Sequence, residues 1–240
     1  MDFRKQWPKG HVVLPVVHLH HNPIATEVMD SVEVVRSAGA DGCWLIAYGT
    51  PVDTVLDLQD KVRDSKFWVG LNILGYSPHH LRGLLGVAHH GIWADNADIR
   101  EDRPEQRIAQ KFKEALEAYP NVMYFGGVAF KGQYQPKDLE ANAKLATQYM
   151  HVVCTSGPGT GQAASVMKIQ RMKAALGDFP LAIASGITPD NIEDYLPFSD
   201  AYLVATGISN QQDELQYDLT KALVDKVRAW DAKETMLQQA

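Results

Sequence analysis

Three turns in the last third of the chain share one chemistry. Val153-Cys154-Thr155-Ser156-Gly157, Ile183-Ala184-Ser185-Gly186-Ile187-Thr188 and Val204-Ala205-Thr206-Gly207-Ile208-Ser209 are short apolar runs that end in a small hydroxyl residue and a glycine. A buried parallel strand that stops this way leaves backbone N–H groups free at its end, and glycine lets a ligand approach the main chain. Three such turns side by side would form a nest for an anion, most simply a phosphate. The expected anion contacts are Ser156, Gly157, Gly159, Thr160, Ser185, Gly186, Thr206 and Gly207. Strand–glycine turns also occur where a chain merely reverses. The repetition in consecutive units, each with a hydroxyl in register, is what favours the anion.

A second group of residues could move protons. Asp95 follows the apolar run Gly91-Ile92-Trp93-Ala94, where partial burial would raise its pKa toward a working value. Lys131 follows Val122–Ala129 and Phe130, and could hold an anion, protonate a leaving group or form an imine. Asn72 is polar in an otherwise apolar run and could orient a substrate. His18 and His20 stand two apart on a strand and share a face, a spacing that can bind one zinc ion. This resembles the opening motif of amidohydrolase barrels, but no histidine follows the fifth strand and no aspartate is found after the eighth. The expected catalytic set is therefore Asp95, Lys131, His18 and Asn72, with no metal and no cofactor. The bland readings are that Asp95 caps the Asn96-Ala97 turn, Lys131 is a solvated loop charge, and His20 and His21 lie in a loop.

These residues need a scaffold that brings strand ends together. Apolar runs and helix-period segments alternate along the chain. The strands are expected at His11–His20, Cys43–Ala47, Phe67–Leu74, Gly91–Ala94, Val122–Ala129, from His151, and in the last two apolar runs. Thr50-Pro51, Ser77-Pro78 and Thr188-Pro189 read as helix starts, with a hydroxyl cap before a proline. Eight strand-then-helix units imply a parallel sheet with right-handed crossovers and closure into a (β/α)8 TIM barrel. Reactive groups of that fold project from the strand C-termini. One domain is expected over residues 1–240, with a lead-in at 1–10 and a tail at 231–240. Trp44, Trp68 and Trp93 read as barrel filling.

The chain has 240 residues, of which 45% are hydrophobic and 22% charged, ample for a buried core. Its net charge is −6 with basic residues scattered, so nucleic acid is not an expected partner. No apolar run reaches the ~18 residues of a membrane span, and Met1–Trp7 lacks a signal core. A cytoplasmic location is expected. The two cysteines, Cys43 and Cys154, fall on distant strands and read as small buried apolar residues.

The sequence resembles the BtpA/SgcQ family of phosphate-binding-type TIM barrels. Val17-His18-Leu19 followed by Asn22-Pro23, Ala40-Asp41-Gly42, Gly70-Leu71-Asn72-Ile73-Leu74, Ser156-Gly157-x-Gly159-Thr160-Gly161 and Ala184-Ser185-Gly186-Ile187-Thr188-Pro189-x-Asn191 carry the likeness. The chain departs from the family pattern at His20-His21-Asn22, Ala47-Tyr48-Gly49 and Phe130-Lys131-Gly132. The resemblance implies a barrel, often oligomeric, in a family linked to photosystem I biogenesis or containing candidate nucleosidases and sugar-utilisation proteins. The expected function is acid/base chemistry of isomerase, lyase or glycosidic-cleavage type on a small phosphorylated or ribosyl-type metabolite, in a homo-oligomer. The alternatives are a non-catalytic assembly or binding factor and a metal-dependent hydrolase.

Overall fold

The computed structural model describes residues 2–8, 10–62, 67–88 and 90–239, without the side chains of residues 238 and 239. Lys9 of the lead-in lies outside the described residues. The elements are, in chain order, α1 (Phe3–Gln6), β1 (Val12–Val13), β2 (Val16–His20), α2 (Ala25–Ser37), β3 (Gly42–Tyr48), α3 (Val52–Val62), β4 (Trp68–Ile73) and α4 (Pro78–Leu81). They continue with β5 (Gly91–Ala94), α5 (Arg107–Leu116), β6 (Met123–Gly127), α6 (Leu139–Ala146), β7 (Val152–Thr155), α7 (Val166–Leu176), β8 (Leu181–Ala184), β9 (Ala201–Leu203) and α8 (Tyr217–Gln239).

The architecture is α/β, with nine parallel strands in one curled sheet ordered β1-β9-β8-β7-β6-β5-β4-β3-β2. Eight strands were expected. The extra one arises because Leu14-Pro15 splits the first strand, since proline has no N–H to donate to a ladder. The split segment still bonds on both sides. Leu14 N and Val16 N donate to Tyr202 O and Val204 O, while Trp44 N donates to Pro15 O. The two ends of the strand order are thus neighbouring pieces of chain.

Two helix expectations need correction. Between Thr188-Pro189 and β9 the described residues form no α-helix, only 3-10 turns at Ile192–Asp194 and Leu196–Phe198, because Pro197 interrupts the segment. Thr50 does not cap α3. Its hydroxyl donates to Leu19 O at 2.7 Å and ties the β3–α3 turn to β2. α8 runs unbroken through position 231.

The strands separate two cores. On the outer face, strand residues such as Val17, Leu45, Leu71 and Ile183 share one core with helix residues such as Val32, Leu58, Phe112, Ile169 and Leu223. The inner face is aromatic. Trp44 meets Trp68, Trp93 and Phe125 in edge-on contacts at 4.8, 5.7 and 5.0 Å between ring centres. Phe3 and Trp7 of the lead-in join this inner core, with Trp7 5.4 Å from Trp68. Small residues make room for these rings. A Cβ on Gly70 would lie 2.3 Å from the Trp44 ring, and one on Gly91 would lie 2.3 Å from the Trp68 ring. Cys154 belongs to the inner core and Cys43 to the outer one, both as free thiols.

His151, just before β7, accepts a hydrogen bond at Nδ1 from Tyr124 N at 2.9 Å. Burial pushes its pKa down to about 4 from an ordinary 6.5. Between those values the unfolded chain binds a proton that the folded chain does not, so stability rises with pH. Denaturant unfolding between pH 4 and 7 is expected to show stability present above pH 6.5 and declining toward about pH 4. His151→Gln is expected to flatten that slope.

Candidate active site at the strand C-termini

The strand ends converge on a cavity of about 190 Å³. His18 reaches it from β2 and Tyr48 from β3. Trp93 comes from β5 and Asp95 from the turn just after it, and Phe130 and Lys131 come from the turn after β6. The turns after β7, β8 and β9 contribute Thr160, Ser185 and Thr206. Parallel strands explain the convergence, because every C-terminus of such a sheet lies on one side.

Asp95 supplies the carboxyl among the described residues that line the cavity. Burial raises its pKa, while a hydrogen bond from Asn72 and the nearby Lys131 charge lower it. Asn72, 1% exposed, donates from Nδ2 to Asp95 Oδ1 at 2.9 Å. The turn after β5 is capped by Asn96, whose Oδ1 accepts from Asp98 N at 2.8 Å, and not by Asp95. Lys131 is half-buried, and desolvation lowers its pKa against the opposing charge of Asp95. Both groups are therefore pushed toward their neutral forms, the usual preparation for proton transfer. The Tyr48 hydroxyl is raised by burial and by the charges of Asp95 and Asp213. Burial also holds Cys154 as a neutral thiol, well above its ordinary value.

The three hydroxyl–glycine turns pack on one another. A Cβ on Gly186 would sit 2.1 Å from Ala163 N, and one on Gly207 would sit 1.9 Å from Ile187 O. These glycines first serve to let neighbouring turns touch backbone to backbone. Among the described residues, the amides of Gly186, Thr206 and Gly207 donate to no protein acceptor. Ser185 holds a left-handed backbone at φ 97°, unusual for a side-chain-bearing residue. Its hydroxyl donates to Gln162 O at 3.2 Å.

Not every expected anion contact reaches the cavity. Thr160, Ser185 and Thr206 line it, whereas Ser156, Gly157, Gly159, Gly186 and Gly207 do not. Ser156 is fully buried. Its hydroxyl accepts from Lys131 N and donates to Gly157 O, so it shapes the turn that carries Lys131. Ser156 and Gly157 line a separate hollow with Lys168.

Two charged residues of this region escaped the sequence reading. Lys168 on α7 donates to Ala129 O and Ser156 O, each at 2.7 Å, which pins the turns after β6 and β7 together. Burial lowers its pKa to about 8. A single lysine in a helical stretch offers no signal of that role. The second is Asp213. An aspartate does follow the last strand, contrary to expectation, because the segment beyond Thr206–Ile208 folds back through the Ser209–Leu215 bridge. It contacts His18 Nδ1 and lies 3.5 Å from His20 Nε2. His20 is the last residue of β2, not part of a loop. Of the histidine pairs flanking α4, His79 is on the helix and His89 lies outside the described residues.

No family model and no curated protein matches the chain. Solved structures do. Tryptophan synthase of Mycobacterium tuberculosis is 14% identical with a TM-score of 0.68, over 91% of this chain and 93% of that one. GGGPS from Thermoplasma volcanium is 14% identical with a TM-score of 0.64, over 95% and 98%. Phosphoribosyl anthranilate isomerase from Thermus thermophilus is 11% identical with a TM-score of 0.59, over 91% and 99%. The likeness is one of fold, that of the TIM barrels. Among the described residues, no helix is long and apolar enough to cross a membrane.

Gly186 has φ 72° and no room for a methyl group, so Gly186→Ala combines backbone strain with a clash. The substitution is expected to cost about 2–3 kcal/mol in denaturant unfolding. The same change at Gly132, where a Cβ would meet nothing within 4 Å but φ is 68°, carries the strain alone and is expected to cost less.

Proposed function

We propose that the chain is an enzyme that binds a small phosphorylated or ribosyl-type metabolite and transfers a proton through Asp95. The reaction class is isomerisation, lyase cleavage or glycosidic cleavage. One observation carries the reading: a half-buried carboxyl and a half-buried amine share a cavity with three hydroxyl-bearing turns. The hydroxyls of Thr160 and Thr206 and the unbonded amide of Thr206 suit a phosphate at the cavity wall. Remote binding there would hold the reacting carbon near Asp95. Lys131 would neutralise developing negative charge or protonate a leaving group, Asn72 would orient the Asp95 carboxyl, and His18 would line the substrate.

The similarity to a phosphoribosyl anthranilate isomerase supports this ligand class. So does the motif likeness to the BtpA/SgcQ family, and we place the chain as a divergent member of it, a cytoplasmic homo-oligomer. The curled sheet is then a TIM barrel closed through its split first strand.

A thermal-shift screen of sugar phosphates and nucleosides tests the proposal. A ligand at about 100 times its dissociation constant adds roughly 2.7 kcal/mol, a rise of roughly 5–10 °C for a chain of this size. Lys131→Ala and Thr206→Val should each reduce that shift. Asp95→Asn should keep it while lowering turnover by about a hundredfold or more. Because the folded pKa of Asp95 is raised, its ionisation opposes folding as pH increases past the ordinary carboxylate range. The Asp95→Asn melting temperature at pH 7 is therefore expected to equal or exceed that of the parent. Unaltered turnover in Asp95→Asn would remove Asp95 from the reaction, and absence of any shift would overturn the metabolite-binding reading and leave the assembly-factor and metal-dependent hydrolase alternatives.

A further inference from the structure

At the rim of the cavity stands a group of ligating atoms of which the proton-transfer reading uses only His18, and only to line the substrate. His18 and His20 lie on one face of β2, and Asp213 comes from the turn after β9. One ligand atom from each lies within 4.8 Å of the others. His18 Nδ1 touches Asp213 Oδ2, and His20 Nε2 stands 3.5 Å from the same oxygen. Donors of a tetrahedral ion with bonds of ~2.0–2.1 Å are spaced about 3.3 Å apart. The His20–Asp213 separation already matches that spacing, and the His18–Asp213 contact has only to open.

The turn holding Asp213 is built to present it. Asn210 Oδ1 accepts from Gln212 N at 2.9 Å and from Glu214 N at 3.0 Å. Asn210 N donates to Glu214 O, and Gln216 N to Ile208 O. Asp213 itself holds a left-handed φ of 65°. A non-glycine residue kept in that conformation is strained, and surrounding bonds must impose it. The histidines are flanked by Tyr48, whose ring centre is 5.1 Å from that of His18 and 5.6 Å from that of His20.

The geometry points to a divalent transition-metal site of the zinc type, held by His18, His20 and Asp213 at the rim of the cavity. Two imidazoles and a carboxylate are a donor set suited to zinc and its first-row neighbours, and three protein ligands leave coordination open. His18 also lines the cavity, so the ion would stand beside bound metabolite and accept one of its oxygens or a water molecule. The site goes beyond the proton-transfer proposal and stands whether or not Asp95 is catalytic.

Zinc chloride titrated into chelator-treated full-length protein, without metabolite, tests the site. The expected result is one equivalent bound and a melting temperature raised by roughly 5 °C at about 100 times the dissociation constant. His20 and Asp213 are exposed, so His20→Ala and Asp213→Ala should fold normally by circular dichroism. Each should weaken zinc binding by about a hundredfold. Asp95→Asn should bind zinc as the parent does, which separates this test from that of the proposed reaction. Cobalt(II) in place of zinc should give the intense visible absorption of a four-coordinate ion, lost in Asp213→Ala. The site is overturned if the folded parent binds no zinc saturably, which would leave a plain His18–Asp213 hydrogen bond. Binding that survives both substitutions overturns it as well, since another group would then hold the ion.

Discussion

The aromatic filling of the sheet interior is the constraint on which the rest of the structure depends. Trp44, Trp68, Trp93 and Phe125 interlock edge to face, with Phe3 and Trp7 packed with them. Each such pair contributes about 0.5–1.5 kcal/mol beyond the area it buries. The cluster fills the middle of the sheet interior, and the cavity lies beyond it at the strand C-termini. Trp93 spans both regions, as a member of the inner core and a wall of the cavity. The strand glycines follow from the same packing, since Gly70 and Gly91 lie against indole rings.

That dry interior sets the electrostatics at its upper end. Desolvation acts on Asp95 and Lys131 in opposite directions and drives both toward neutrality. Such groups weaken the folded state, and the two cores around them offset the cost. A different arrangement keeps charge at the opposite, N-terminal end of the strands. Asp200 is nearly buried yet binds Arg4 at 2.5 Å, Lys173 at 2.7 Å and Leu181 N at 2.9 Å. Buried charge is paired where it supports the fold and left partly unpaired where it lines the cavity.

The turns after β7, β8 and β9 carry two demands at once. Their glycines permit backbone contact between turns, which locks the positions of Thr160, Ser185 and Thr206. Lys168 adds a cationic clamp between two carbonyls. A pre-positioned set of donors loses little freedom when a ligand binds, so rigidity here would raise affinity for the proposed anion.

Local patterns were legible in the sequence because they act over short range. Apolar runs ending at Ala47, Ala94 and Ala184 mark strands, and the Asp95 and Asn72 positions follow from being at or near strand ends. Proline effects were legible only in part: Pro15 breaks the first strand in two, and Pro197 replaces a helix by 3-10 turns. What the chain order hides is contact. Asp213 meets His18 across 195 residues, and Ser156 turns inward to hold Lys131 N when its spacing alone suggests a ligand contact. Backbone preference and hydrophobic period belong to neighbouring residues, so sequence alone determined the alternation of strands and helices and the chemical types at the strand ends. Which of those groups meet depends on the curl of the sheet that brings β2 beside β9, and that only the tertiary structure decided.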